Sequence, residues 1–192
     1  MSSNFFAYIN RMKLIRRWGL MRNTQPENDL EHTMQVVMLA HGMGVIANRR
    51  CGAHVDLGRI ALLAAYHDAP EVITGDLATP IKYFNPAIKR AFGEIEQVAA
   101  QKLAAMLPAD LRYDFEPLLS PDESSREWRI VKAADKLSAY IKCVEELKDG
   151  NSEFARARDS IARQLEEIEL PELREFMAEF GHGFELTLDE LD

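Results

Sequence analysis

Apolar residues at helical spacing lead directly into a histidine and an aspartate that stand side by side, His67 and Asp68. The apolar positions from Leu57 to Ala64 share one helix face, which predicts that the polar pair lies in or near the last turn of a buried helix. Burying an imidazole and a carboxylate is costly unless something pairs with them. A metal ion is one partner. In the simpler alternative, His67 donates to a carbonyl and Asp68 caps the segment at Pro70.

The rest of the chain also has helical patterns separated by capping and turn residues. Strand-like alternation is absent apart from a short extended piece at residues 184–188. The sequence therefore predicts an all-α, single-domain bundle of about seven or more helices over residues 1–192, with its polar core at about 28–142. The predicted helices lie at residues 4–18, about 28–48, about 56–68, 85–107, 108–121 (short), 124–150, 152–169 and 171–182.

Composition narrows the classes of protein. The 192 residues are 47% hydrophobic and 28% charged, as in a globular domain. A net charge of −8 argues against binding to duplex nucleic acid, although a small anionic substrate fits if cations gather locally. Cys51 and Cys143 have no metal-binding or disulfide spacing. The chain has neither a bilayer-length apolar run nor a signal-peptide pattern, so a cytoplasmic location without membrane contact is expected.

Two further polar residues lie on apolar helix faces. His32 shares its face with Val36 and Leu39, so it points inward, whereas His41 projects from the opposite side. Asp135 lies in the middle of a long predicted helix. Two interpretations of it remain open: an inward-facing ligand, or a surface carboxylate paired with Lys132.

Together these residues form a set of metal ligands, His32, His67, Asp68 and Asp135. Two imidazoles and two carboxylates suit one borderline divalent ion such as Mn²⁺, Fe²⁺, Co²⁺ or Zn²⁺ and leave coordination positions open. A structural zinc site more often uses thiolates and is closed. The set therefore predicts a catalytic metal centre.

The order His…His-Asp…Asp on separate helices resembles the HD-domain metal-dependent phosphohydrolases. More of the chain is similar to the bacterial HD-domain 5′-deoxynucleotidases of the YfbR type, and Arg17-Trp18 is the most specific part of that likeness. The matching stretches are 5–7, 14–18, 20–23, 31–32, 66–68, 71–72, 74–77, 79–80, 82–85, 132–135 and 186–190. The sequence departs from the pattern at Gly19, at Ala78 and at Asp29-Leu30, and no departure removes a ligand.

The resemblance implies a homodimeric HD-domain enzyme that hydrolyses deoxyribonucleoside 5′-monophosphates and selects against ribonucleotides. In this family's scheme the metal polarises a phosphoryl oxygen and lowers the pKa of a bound water, and Glu71 orients or deprotonates that water. Asp76 serves the leaving 5′-oxygen or anchors the sugar 3′-hydroxyl. Arg17 binds phosphate, and the bulk of Trp18 disfavours a 2′-hydroxyl. The residues implied to contact the nucleotide are Arg17, Trp18, His32, Asp68, Asp76, Leu77, Ala78, Thr79, Lys82 and Asp135.

Simpler interpretations stay open for several of these residues. Trp18 continues an apolar stripe from Phe5 and could only pack the core, Lys82 could be a solvated loop charge, and Glu71 is an acid favoured by a helix N-terminus. Three other functions also remain: an HD phosphohydrolase for cyclic nucleotides, triphosphates or alarmones, a regulatory HD domain without turnover, and a structural metal-binding bundle.

Overall fold

The structure, a computed structural model, describes residues 2–78, 81 and 84–191, and within them the fold is all-α, as predicted. No β-strand forms in this part of the chain; an isolated bridge joins Arg16 and Asn28. The α-helices are α1 (Phe5–Ile9), α2 (Asp29–Arg50), α3 (Leu57–Tyr66), α4 (Glu71–Thr74), α5 (Pro86–Ala105), α6 (Ala109–Leu119), α7 (Arg126–Lys148), α8 (Ala155–Glu166) and α9 (Pro171–Phe180). Short 3₁₀ turns cover Asn10–Leu14, Ser152–Phe154, Gly181–Glu185 and Leu188–Glu190.

Side-chain caps fix where the principal helices begin. Asn28 accepts from the backbone N–H groups of Leu30 and Glu31, and the Glu31 carboxylate accepts from the Asn28 N–H, which completes a capping box for α2. Asp56 caps α3, and Ser125 caps α7 through the N–H of Trp128. These starts agree with the sequence because capping depends only on neighbouring residues.

The long helices α2 and α7 form the centre of the molecule. They pack against each other and against α3, and the buried side chains of these three helices include Met43, Leu63 and Leu137. Gly44 allows α2 to approach α3 closely, because a Cβ at this position would lie 2.8 Å from Ile60 Cδ1. A second apolar cluster, centred on Phe5, joins α1 to α5 and α6. Among the described residues, no helix combines the length and apolar character that a membrane span needs.

Two local predictions are wrong. The helix expected over residues 4–18 ends early, because Ile15 and Arg17 pair with the segment before α2: the Arg17 N–H donates to the Glu27 carbonyl and the Asp29 N–H to the Ile15 carbonyl, each at 3.1 Å. The extended piece expected at 184–188 is mostly 3₁₀ turn, since a capping box between Thr187 and Glu190 starts a second turn there.

Candidate metal centre

The four side chains predicted as metal ligands meet at one point, brought there by α2, the end of α3 and the middle of α7. His32 Nε2 lies 3.2 Å from Asp135 Oδ1 and 3.6 Å from Asp68 Oδ2. His67 Nε2 lies 3.0 Å from Asp68 Oδ2 and 4.0 Å from Asp135 Oδ1. Both imidazoles are fully buried, and the carboxylates are largely so.

Hydrogen bonds at the opposite ring nitrogens orient both imidazoles. His67 Nδ1 donates to the Ala64 carbonyl at 2.8 Å. His32 Nδ1 lies 2.9 Å from Ser138 Oγ, and the Ser138 hydroxyl donates to Gln35 Oε1, which assigns Nδ1 of His32 as the donor. Such outer partners fix the tautomer that leaves Nε2 free to ligate a metal.

The residues fit a divalent cation. The Nε2 atoms of His32 and His67 are buried and have no hydrogen-bond partner of acceptable geometry among the described residues. One donor atom each from His32, His67 and Asp135 lies within 4.8 Å of the others. Imidazole lone pairs that face carboxylate oxygens repel them unless a positive charge stands between, so this arrangement is suited to a metal ion.

Asp135 combines an inward-facing position with the expected pairing to Lys132. Its Oδ1 faces His32, while its Oδ2 accepts from Lys132 Nζ at 2.5 Å. His67 likewise donates from Nδ1 to a backbone carbonyl, as the simpler alternative expects, and this hydrogen bond turns its Nε2 toward the centre. At both residues the local contact positions the predicted ligand atom.

The electrostatics of the centre favour ionised carboxylates and a positive charge between them. Burial lowers the pKa of His32 and so keeps its imidazole neutral. Burial opposes ionisation of Asp68 and Asp135, but neighbouring groups together outweigh it, led by His67 at Asp68 and by Lys132 at Asp135, so both carboxyl pKa values fall. Burial also opposes the charge of His67, but Asp68 and Asp135 together raise the pKa of its imidazole.

Arg17 lies beside the metal ligands. Its Nη1 is 3.3 Å from Asp68 Oδ2 and 3.9 Å from Asp29 Oδ1, and its Nε is 3.5 Å from Glu27 Oε2. The guanidinium is 14% exposed, and its carboxylate neighbours, Asp68 foremost, outweigh burial and raise its pKa. A planar fork of donors in this position can bind a phosphate group.

Glu71 is close to the centre, at the start of α4. One of its carboxylate oxygens lies within 4.8 Å of oxygens of Asp29 and Asp68. Burial and the neighbouring Asp68 raise the pKa of Glu71 to about 10 and that of Asp29 to about 8. Asp76 is exposed, and its charge contributes to the shift at Glu71.

The structure places the other predicted contacts less closely. Leu77 and Ala78 are half-buried in the segment that follows α4, and Thr79 and Lys82 lie outside the described residues. Trp18 does not continue the helical stripe from Phe5, because the helix has already ended. It takes a left-handed backbone conformation (φ 56°), and its ring packs against that of Phe154 with centroids 5.3 Å apart.

Sequence reasoning missed two residues of the centre. Asp29 stands at the predicted start of the helix over about 28–48 as a departure from the family pattern, and the structure buries it fully beside Asp68 and Glu71. The available signal was its position three residues before His32, which puts both on one helix face. Ser138 carries the same signal, three residues after Asp135, but its contact with His32 depends on how α7 packs on α2.

The fold is similar to that of HD-domain phosphohydrolases of known structure. An HD-domain phosphohydrolase from Listeria innocua has a similar structure, with a TM-score of 0.82 and 21% identity over 94% of this chain and 88% of that one. The cyanophage S-2L HD phosphohydrolase DatZ, whose structure is described as bound to dA and one catalytic Zn²⁺ ion, has a TM-score of 0.63 and 21% identity, covering 94% of this chain and 96% of its own.

Sequence comparison identifies the family within this class. The model of the 5′-deoxynucleotidase YfbR-like family matches residues 4–184, and the chain belongs to that family. A 5′-deoxynucleotidase YfbR of Photorhabdus temperata is 51% identical over 190 residues, which are 98% of this chain and 96% of the relative. A 5′-deoxynucleotidase of Vibrio vulnificus is 48% identical, over 98% of each chain.

Proposed function

We propose that this chain is a divalent-metal-dependent 5′-deoxynucleotidase that hydrolyses deoxyribonucleoside 5′-monophosphates to deoxyribonucleosides and phosphate and selects against ribonucleotides. One observation carries the proposal: two oriented imidazoles and two carboxylates converge within ligand distance beside a guanidinium that can bind phosphate. Membership of the YfbR-like family supports the substrate class.

Each residue of the centre has a role in this proposal. His32, His67, Asp68 and Asp135 hold one transition metal ion, of which Co²⁺, Mn²⁺, Fe²⁺ and Zn²⁺ all suit the donors. That ion supplies Lewis-acid activation of the phosphate ester. Arg17 binds the phosphate oxygens, a role that its position beside Asp68 supports.

Glu71 and Asp76 handle protons and substrate position. Glu71 orients or deprotonates the attacking water, and its proximity to Asp68 supports this role. Asp76 serves the leaving 5′-oxygen or anchors the 3′-hydroxyl, and the segment from Asp76 to Thr79, with Lys82, lines the nucleotide. A general base of this kind contributes about 10²–10⁴-fold to the rate.

Selection for deoxyribose is assigned to Trp18. Contact with Phe154 and a hydrogen bond from Asn23 to the Trp18 carbonyl hold this residue in its left-handed conformation. A rigidly held indole beside Arg17 can exclude a 2′-hydroxyl by its bulk. Low selectivity among bases is expected, because no set of residues that would read base edges stands out in the sequence.

Phosphate release from dAMP and AMP, measured on chelator-stripped protein restored with Co²⁺, Mn²⁺, Mg²⁺ or Zn²⁺, tests the proposal. We expect metal-dependent phosphate release from dAMP and much slower release from AMP. In Trp18→Ala the dAMP rate should exceed the AMP rate by a smaller factor. Equal rates for dAMP and AMP in the wild type would contradict the role of Trp18 in sugar selection. No release from dAMP with any metal would contradict the proposed activity and favour another phosphorylated substrate.

Glu71→Gln separates the enzyme from a regulatory or structural HD domain. We expect turnover of dAMP to fall by about 10²-fold or more while one metal ion stays bound, since Glu71 is not among the four ligands of that ion. Glu116→Gln, on the exposed surface of α6, is the matched control and should retain full activity. Unchanged turnover in Glu71→Gln would contradict the assignment.

The proposal includes the organisation of the protein. A single HD domain over residues 1–192 is supported by a family match that runs from residue 4 to 184. The homodimer rests on the family resemblance, whereas a cytoplasmic location without nucleic acid or membrane partners rests on the net charge of −8 and the apolar pattern of the sequence. Light scattering coupled to gel filtration checks the dimer.

A further inference from the structure

Three carboxylates converge beside the metal centre, with Asp68 common to both. Asp29 from the first turn of α2, Asp68 after α3 and Glu71 from α4 each contribute an oxygen atom within 4.8 Å of the other two. Only Asp68 belongs to the ligand set of the first ion. Asp29 has no role in the proposed reaction.

Asp29 is the observation that points to a ligand. Its side chain is 0% exposed, and neither carboxylate oxygen has a hydrogen-bond partner among the described residues. Among the described residues, Glu71 Oε2 is likewise buried without a hydrogen-bond partner. A buried carboxylate that lacks such bonds is strongly disfavoured unless a positive charge compensates it.

Arg17 does not supply enough positive charge for this cluster. Its Nη1 lies 3.9 Å from Asp29, beyond hydrogen-bond distance, and closer to Asp68, while its Nε faces Glu27. The guanidinium of Arg17 thus faces the three carboxyl groups of the cluster in addition to Glu27. The cluster therefore offers a cation three carboxyl oxygens with no hydrogen bond from Arg17 to Asp29.

We propose that Asp29, Asp68 and Glu71 form a second divalent-cation site, with Asp68 shared between the two ions. Three carboxylates are hard oxygen donors, so the site selects Mg²⁺ or Mn²⁺, whereas the imidazoles of the first site favour a softer transition metal. Glu71 has two oxygens, so one can hold the cation while the other faces the attacking water. The second charge also frees Arg17 from Asp68 to bind phosphate.

Counting bound Mn²⁺ tests the site directly. Chelator-stripped full-length protein is titrated with MnCl₂, and free Mn²⁺ is followed by its electron paramagnetic resonance signal. We expect two equivalents per wild-type chain, with spectral broadening from two nearby ions, and one equivalent in Asp29→Asn. Asp29→Val is the second variant, because a similarly sized apolar side chain removes the charge without leaving a buried polar group.

Glu27→Gln is the matched control, since it removes a carboxylate beside Arg17 that does not belong to the cluster. This variant should still bind two equivalents. A single equivalent in the wild type, or the same count in wild type and both Asp29 variants, would overturn the second site and leave a shared proton as the compensating charge. The result is separable from the proposed function: one ion with turnover of dAMP refutes only the second site, and two ions without turnover refute only the activity.

Discussion

At the scale of single residues, each imidazole of the centre is set by what its Nδ1 contacts. His67 relies on a backbone carbonyl of its own helix, which no substitution removes. His32 relies on Ser138, a fully buried side chain on α7, so its orientation depends on a contact between two helices. The contact between His32 and Ser138 is therefore the one that a mutation can test.

Ser138→Ala should weaken metal binding without unfolding the protein. The change leaves His32 Nδ1 without its partner, and loss of an outer-shell bond typically costs 10–100-fold in metal affinity. Competition with a fluorescent chelator measures that change, and circular dichroism checks the fold. Thr33→Val is the control, because Thr33 is buried next to His32 but its hydroxyl has no hydrogen-bond partner among the described residues. Equal affinities in both variants would show that Ser138 does not position His32.

The convergence of the four proposed ligands was predictable from the sequence, whereas their surroundings were not. His32, His67, Asp68 and Asp135 stand out because imidazoles and carboxylates on apolar helix faces need partners, and their types match one metal. The burial of Asp29 depends on where α4 and the segment before α2 pack. Helix periodicity does not carry that information.

At the scale of elements, Glu146 ties the segment that follows Trp18 to α7. Its fully buried carboxylate accepts from the Thr24 N–H at 2.9 Å, from the Thr24 hydroxyl at 2.8 Å and from Asn151 Nδ2 at 2.8 Å. Lys142 pairs with it at 2.5 Å. Burial opposes ionisation, but these bonds, led by that of Lys142, lower the pKa of Glu146 to about 2.

Glu146→Gln should destabilise the protein in a pH-dependent way. Because the folded pKa lies below the ordinary value of 4.5, the ionised carboxylate stabilises the fold above pH 4.5, and this contribution is lost as pH falls toward 2. We expect a cost of about 3 kcal/mol at pH 7 that shrinks below pH 4.5. Urea unfolding with chelator present measures it. Glu153→Gln, which changes an exposed carboxylate that accepts from the Arg22 N–H, should change the free energy of unfolding by less than about 0.5 kcal/mol.

A constant effect of Glu146→Gln from pH 7 to 3 would contradict this account.

The chain that precedes this segment shows why element prediction failed at the N-terminus. The apolar spacing from Phe5 to Trp18 favours one helix, but backbone pairing of Ile15 and Arg17 with residues before α2 prevails. Such pairing depends on chain segments that are distant in sequence order, while the capped starts of α2, α3 and α7 depend on neighbours and were predicted correctly.

At the scale of the whole molecule, the metal centre joins parts of the chain that are far apart in sequence. Its four proposed ligands are at residues 32, 67, 68 and 135, so one ion bound there would connect α2, α3 and α7, the helices that form the main core. Without a cation, the buried Nε2 atoms of His32 and His67 at this junction have no hydrogen-bond partner among the described residues. The stability of the fold is therefore linked to metal binding.

Removal of metal should lower the melting temperature. An ion at 100 times its dissociation constant adds about 2.7 kcal/mol, which corresponds to roughly 5–10 °C for a chain of this size. Scanning calorimetry of chelator-stripped protein, with and without Co²⁺, measures the shift. Asp135→Ala should melt at the same temperature with and without Co²⁺, because it lacks a ligand, whereas Asp114→Asn, an exposed acid on α6, should keep the full shift. An equal Co²⁺ response in both variants would place the stabilising ion elsewhere than between α2, α3 and α7.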